Sequence, residues 1–393
     1  MSSSLLTFIS ELKELLLQLA PRLNELVLES SPQIQTTLVE SEIEEKVKSY
    51  NSSLVSVASK PKGTFKCSSI DSSSRSLSFR GVRLFVSGAV ISTPLGLFTI
   101  PKSMTKVPFV AIKSYSSVLA EIESLAKSIG VPLLVRSPAG YLYSEDEGYK
   151  DDNINDELRL IIENYALTEA RGEDVDYILL DGPVVPTPPL LLSPSGESKY
   201  KEAFEKILFG RGGRVSISRN SNIPIIGVVK RCNESRKLIR CEKICEILAR
   251  MGYKTSRAPD TVIVDLIASK YHKEKLAPSR KSVVIGPLKA EYRNILPTKV
   301  FWYVWTPHHS GPTIYRLEVL KEHFEKFSYV GEIITNIIHE ACYDGLPVRI
   351  RLVDHFAKRL TTAIYRQLAW ELSTFLTLTY DERMRLVDLS LGD

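Results

Sequence analysis

Two apolar runs that each lead into an aspartate constrain this chain more than any other feature. The first is Thr64-Phe65-Lys66-Cys67-Ser68-Ser69-Ile70-Asp71-Ser72-Ser73, and the second is Asp176-Tyr177-Ile178-Leu179-Leu180-Asp181-Gly182. Short apolar runs bounded by small or turn-forming residues predict buried strands. Neighbouring strands lie about 5 Å apart, so a carboxylate at the end of each brings negative oxygens within reach of one hard divalent cation. The same aspartates would also suit ordinary turns, which Asp opens through its own side-chain hydrogen bonds.

The rest of the chain supplies the framework. Leu5, Ile9, Leu12, Leu16 and Leu19 recur at helical steps, Pro21 interrupts, and Leu23, Leu26 and Leu28 follow, so residues 1 to about 50 read as helical. Residues 1–60 are thus expected to form an N-terminal helical extension that covers one face of the core or joins subunits. From residue 64 the period changes: strand 64–71, a serine-rich turn, then alternation over 76–91 around Val82, Leu84 and Val86, together an antiparallel hairpin. Beyond it the pattern predicts helix 116–130, strand 131–135, an acidic surface segment 141–156 and helix 155–171. After Asp181 the run Pro183-Val184-Val185-Pro186-Thr187-Pro188-Pro189 must leave the sheet. Helix 199–209, the loop Gly210-Arg211-Gly212-Gly213-Arg214, strand 223–230, helix 241–251, strands 299–305 and 313–320, and helices 331–343 and 348–376 complete the reading. This alternation predicts an α/β domain over 61–393, a mixed sheet opening with the hairpin and flanked by helices.

Several residues carry possible chemistry. Leu160, Glu163 and Leu167 share one flank of a helix, which sets Glu163 in an apolar stripe. A carboxylate there is costly unless it meets a cation or a donor, or snorkels to water; Glu169, near the helix end, is its reserve as third acidic ligand. Lys230 ends an apolar strand as the aspartates do, either as an ordinary strand-end lysine or as a cation that neutralises a phosphate beside a metal. His355 lies among Arg351, Lys358, Arg359 and Arg366 at helical spacing. That stripe is either a solvated face or a phosphate-binding edge whose histidine positions the scissile group or protonates a leaving oxygen.

Composition excludes a few classes. With 44% hydrophobic and 25% charged residues and a net charge of +5, the chain is an ordinary globular protein, so phosphate contacts must come from local basic clusters. It shows no secretory pattern and no apolar run near the roughly 20 residues that cross a bilayer, so a cytoplasmic location is expected. The odd set Cys67, Cys232, Cys241, Cys245 and Cys342 is no disulfide framework, and Cys241 with Cys245 lacks a second ligand pair for zinc. There is no P-loop, nucleophile elbow or His-Glu-x-x-His helix, and the adjacent His308-His309 has no ligand spacing.

Taken in order, Ile70-Asp71-Ser72-Ser73 before a hairpin, Glu163, Leu180-Asp181-Gly182-Pro183, Ile226-Gly227-Val228-Val229-Lys230, Tyr315-Arg316-Leu317-Glu318, and Pro347 with Asp354-His355 resemble the NurA nuclease family. The resemblance runs from about residue 64 to about 365. It implies an RNase H-like core that cleaves DNA with Mn2+ or Mg2+, two ions per site, as a 5'-3' exonuclease and single-strand endonuclease. It further implies a homodimer partnered with a HerA-type hexameric ATPase in DNA end resection for double-strand break repair, chiefly in archaea. By the same resemblance Asp71, Glu163 and Asp181 are metal ligands, Asp71 bridging; His355 is the site's C-terminal histidine and Tyr343 a candidate for its aromatic residue; and Arg211, Arg214, Lys230 and the stripe Arg351, Lys358 and Arg359 would contact DNA phosphates, which carry no sequence information. Two ions about 3.5 to 4 Å apart can stabilise both the attacking and leaving oxygens of a phosphodiester, and an oxygen-only ligand set favours Mn2+ or Mg2+ over zinc. The competing readings are a catalytically inactive adaptor that binds DNA or the ATPase, and an enzyme acting on RNA or RNA–DNA hybrids.

Overall fold

A computed structural model describes residues 3–26, 45–50, 53–102, 107–186, 198–233, 235–253, 258–276, 281–292, 296–308, 311–342 and 344–391. Leu28, Thr187, Pro188, Pro189, His309 and Tyr343 lie outside the described residues. Twelve strands join in one sheet: β1 (Glu45–Ser49), β2 (Val55–Val57), β3 (Cys67–Phe79), β4 (Val82–Thr93), β5 (Gly96–Ile100), β6 (Val110–Lys113), β7 (Leu133–Leu134), β8 (Tyr177–Asp181), β9 (Ile225–Val229), β10 (Val283–Tyr292), β11 (Lys299–Thr306) and β12 (Thr313–Leu320). Their order is β1-β10-β11-β12-β9-β8-β3-β4-β6-β7, with β2 beside β10 and β5 beside β4. The described helices are α1 (Ser3–Leu26), α2 (Ser116–Ile129), α3 (Asp151–Ala170), α4 (Ser198–Phe209), α5 (Arg214–Arg219), α6 (Glu242–Arg250), α7 (Asp260–Lys275), α8 (Lys321–Lys326), α9 (Val330–His339), α10 (Val348–Leu372) and α11 (Tyr380–Leu391). None is long and apolar enough to cross a membrane.

The mixed α/β sheet expected from the sequence is present, and most of its pairs are antiparallel; among the described strands only β3–β8, β8–β9 and β6–β7 run parallel. β8 lies between β3 and β9 and is buried along Tyr177 to Leu180, which is why its sequence is continuously apolar instead of alternating. Ile70 stands opposite Leu180 in this parallel pair, so the next residues in register are Asp71 and Asp181. Successive strand residues face opposite sides. Ile70 and Leu180 join the core that holds Ile162 and Ala166 of α3, while the cross-strand partner of Asp71, Val90, packs with Val353 and Ala357 of α10.

Three expectations give way here. The serine-rich stretch is not a turn: β3 runs on through Ser72, Ser73 and Ser74, paired with Ala89, Gly88 and Ser87, and the chain reverses at Arg80 and Gly81. Asp71 therefore sits within a strand, not at its end. Small side chains at this point leave room for α10, whose Thr361 Oγ1 donates to Ser73 O at 3.1 Å. The helical reading of residues 1 to about 50 also fails at its end, because Glu45–Ser49 and Val55–Val57 are strands added to β10. They are too short to display a period. Earlier in the chain α1 continues through Pro21 as one helix, and Phe8, Ile9, Leu12, Leu15, Leu16 and Leu19 are buried in the main core. Finally, the acidic segment before α3 is more than surface: Tyr143 and Tyr149 are buried and both hydroxyls donate to the buried Glu157.

Candidate metal centre

Asp71 on β3, Asp181 at the end of β8 and Asp354 near the start of α10 converge: one carboxylate oxygen from each lies within 4.8 Å of the others. Lys230, one residue beyond β9, joins them. Its Nζ donates to Asp181 Oδ2 at 2.5 Å and to Asp354 Oδ1 at 3.0 Å, and Lys358 Nζ donates to Asp354 Oδ2 at 2.7 Å. The arrangement follows from strand parity. Asp181 pairs with Val228, and Lys230, two residues on, returns to the same side of the sheet.

The loop after Asp181 is pinned to the sheet. Gly182 N donates to Val228 O at 2.9 Å, and Val184 N donates to Glu318 Oε1 at 2.9 Å. The loop crosses β9 so closely that a Cβ at Gly227 would lie 2.6 Å from both Gly182 O and Val184 N, which accounts for glycine inside an otherwise apolar strand. Glu318 is buried and paired with Lys299 at 3.1 Å and Arg316 at 3.3 Å, and Lys299 also donates to Val185 O at 2.6 Å. A charged network in the core of β11 and β12 thus fixes the chain that carries Asp181.

The electrostatics are those of a carboxylate nest short of positive charge. Burial, followed by the charges of Asp181 and Glu163, pushes the Asp71 carboxyl up to about 8, and Lys230 and the Ser72 N–H offset only part of this. Burial also raises Asp181, to about 6, despite its bond to Lys230. Asp354 is held below its ordinary value: burial acts upward, but the bonds to Lys358 and Lys230 outweigh it. Lys230 is raised, its burial being more than offset by Asp181 and Asp354. A divalent cation among these oxygens would reverse that balance, and hard carboxylate donors are the ligands that Mn2+ and Mg2+ take.

The other sequence candidates fall into three groups. Glu163 is buried, and its charge acts on Asp71 and Asp181, but it is not one of the three converging carboxylates; its Oε2 lies 3.4 Å from Arg214 Nη2. Its reserve, Glu169, is at the surface with Lys102 at 2.5 Å. His355 follows Asp354 but is exposed, its ring against Phe356, beside a groove of about 500 Å³ lined by Ser92, Glu340, Arg349 and Arg351. Arg351, Lys358 and Arg359 are exposed too and, with Arg366, line a second groove of about 760 Å³. Arg211 is exposed on its turn. Arg214 is a correction: it is fully buried, and its bonds run inward, so from this position it reaches no phosphate. Cys241 is buried and Cys245 half-buried, and neither belongs to a cluster of metal-ligating groups among the described residues.

Sequence reasoning did not place Asp354 in this cluster. The available signal was its isolation: over residues 348–370 of a helix rich in Arg and Lys it is the one acidic side chain, placed four residues before Lys358.

The NurA domain matches residues 66–359, three quarters of the chain and every residue of this centre. The chain belongs to the NurA family. No curated protein matches it. Among solved structures it is similar to the NurA nuclease from Sulfolobus solfataricus, at 13% identity over 82% of this chain and 88% of that one, with a TM-score of 0.46. A NurA structure with manganese is 10% identical over 80% and 91%, TM-score 0.40, and one bound to dAMP and manganese is 11% identical over 77% and 86%, TM-score 0.32. Membership in NurA rests on the domain match; overlaps this loose carry no argument about the site.

Proposed function

We propose that this chain is a metal-dependent deoxyribonuclease that hydrolyses phosphodiesters at the centre built on Asp71, Asp181 and Asp354. The observation that carries the reading is the meeting of these three carboxylates, from two strands and a helix, within a chain of the NurA family. Membership of the NurA family and the oxygen-only donor set support a divalent ion such as Mn2+ or Mg2+ and DNA as substrate. When bound, a pair of Mn2+ or Mg2+ ions would polarise the phosphate and activate water. Asp71, with Asp181 beside it in register and Asp354 from α10, would hold the metal, and Glu163 would add a further acidic group. Lys230 would neutralise a substrate phosphate as the charge on it grows. His355, on the outer side of α10, would position the scissile phosphate or protonate the leaving oxygen. Arg211, Arg351, Lys358 and Arg359 would bind the DNA backbone.

The family extends the proposal to 5'-3' exonuclease and single-strand endonuclease activity on an RNase H-like core, in a cytoplasmic homodimer working with a HerA-type ATPase during end resection and repair. Asp71→Asn and Asp181→Asn should each abolish nicking and digestion of labelled DNA in Mn2+ while the protein stays folded; full activity in both would refute it. Lys230 favours a second reading. Its ammonium already bridges Asp181 and Asp354, as expected of a non-cleaving adaptor that retains the fold. Calorimetric titration with Mn2+ separates the two, since the adaptor binds none.

A further inference from the structure

The turn between α4 and α5 delivers an arginine into the core next to Glu163. A Cβ at Gly213 would lie 2.7 Å from Leu208 O and 2.8 Å from Ile207 O, and Gly212 has a φ of +74°, so glycine is required at both positions. The turn directs Arg214 inward, where it has no solvent exposure. Its Nε donates to Asn164 Oδ1 at 2.7 Å, and Asn164 Nδ2 donates to Ile207 O at 3.1 Å, so the guanidinium is tied to α3 and to the end of α4. The contact of Nη2 with Glu163 Oε2, 3.4 Å, is a charge contact. An isolated guanidinium here would be very costly to bury, and so would an isolated carboxylate. Each is therefore the other's condition for being inside.

Ile162, the neighbour of Glu163 on α3, joins the same core as Ile70 and Leu180, the residues that precede Asp71 and Asp181, which sets Glu163 alongside the centre, where its charge acts on both aspartates. The two nearby cations differ in freedom. The Lys230 side chain keeps 26% of its exposure and can swing away from Asp181, whereas that of Arg214 keeps 1% and is clamped by Asn164.

We propose that Arg214 is a positioning residue of the metal centre, which fixes the Glu163 carboxylate beside Asp71 and Asp181 and compensates its charge without entering the site. This rests on the metal-dependent reading above. Loss of a cation would by itself tighten the hold on a dication, because like charges repel. Weaker metal binding after loss of Arg214 therefore reports loss of Glu163 from its place, and tighter binding contradicts the proposal.

The test is calorimetric titration of the full chain with Mn2+. Arg214→Gln should weaken binding by about tenfold, the loss typical when a residue supporting a ligand is removed, and Arg214→Lys should recover part of it. In a Glu163→Gln background Arg214→Gln should change the affinity by less than about twofold, since residues acting through one another are not additive. Equal losses in both backgrounds, or no loss in either, overturn the proposal. Should Arg214→Gln fail to fold, Asn164→Leu cuts the tether and keeps both charges. It should weaken binding about threefold, again only when Glu163 is present, and unchanged affinity overturns the proposal. A wild-type chain that binds no Mn2+ sinks the metal reading and this inference together; a wild type that binds, with indifferent Arg214 and Asn164 variants, sinks only the inference.

Discussion

Lys230 Nζ lies 2.5 Å from Asp181 Oδ2 and also holds Asp354, so a protein ammonium spans two of the three carboxylates that would receive a metal. A cation entering between these groups competes with it. Lys230→Met should consequently tighten Mn2+ binding several-fold while lowering the cleavage rate at saturating metal by about a hundredfold, the scale of losing one preorganised charge at a phosphoryl centre. Calorimetry and single-turnover digestion measure the two effects separately. Weaker metal binding with unchanged cleavage would show that the ammonium does neither job.

The Asp71 carboxyl is raised from an ordinary 3.8 to about 8 in the folded protein. A raised folded value means that the folded state favours the protonated form, so the contribution to stability is full below the unfolded value and is lost as pH rises through the folded one. Metal-free protein should therefore lose thermal stability between about pH 4 and pH 8, with Asp181, raised to about 6, adding to the loss in the lower part of that window. Asp71→Asn should flatten the profile, and Mn2+ should restore stability at high pH. Melting curves across pH with EDTA check this; parallel profiles for wild type and Asp71→Asn would contradict it.

Glu318→Ala leaves Lys299 and Arg316 buried without their shared counter-charge. Breaking a buried pair in this way costs about 3–5 kcal/mol. Urea denaturation should show a loss on that scale, and a loss under about 1 kcal/mol would mean that the network is solvated.

Gly227→Ala should impair the centre from a distance. Its methyl would lie 2.6 Å from Gly182 O and Val184 N, so the loop that follows Asp181 must lift. Mn2+ affinity should fall by about tenfold or more, as for loss of a residue that supports a ligand. Wild-type affinity would show that Asp181 is held without the loop.

The parts of this centre differed in how plainly the sequence displayed them. Asp181 was legible because its strand is buried on both faces and terminates at once in Asp181-Gly182-Pro183. Asp71 was legible as a carboxylate within apolar surroundings, but its strand runs eight residues further than local propensity suggested, since serines that favour turns are held here by pairing with β4 and by α10 above them. Glu163 stood out from its apolar stripe; that its direct partner is Arg214 was hidden, because a glycine-rich turn can expose an arginine or bury it, and close backbone approach decides which. Asp354 was obscured by the basic residues around it, and its role needs the crossing of α10 over β3 and β8, a long-range contact that no local pattern encodes. The edge strands β1 and β2 were missed for a different reason: five and three residues are too few to show a period.

The most direct measurement is a crystal structure of the full chain grown or soaked with Mn2+, with anomalous scattering recorded at the manganese edge. Anomalous density coordinated by Asp71 and Asp181, with Lys230 withdrawn from Asp181, is the expected result. Well-ordered carboxylates with no such density, and Lys230 still bridging Asp181 and Asp354, would contradict it.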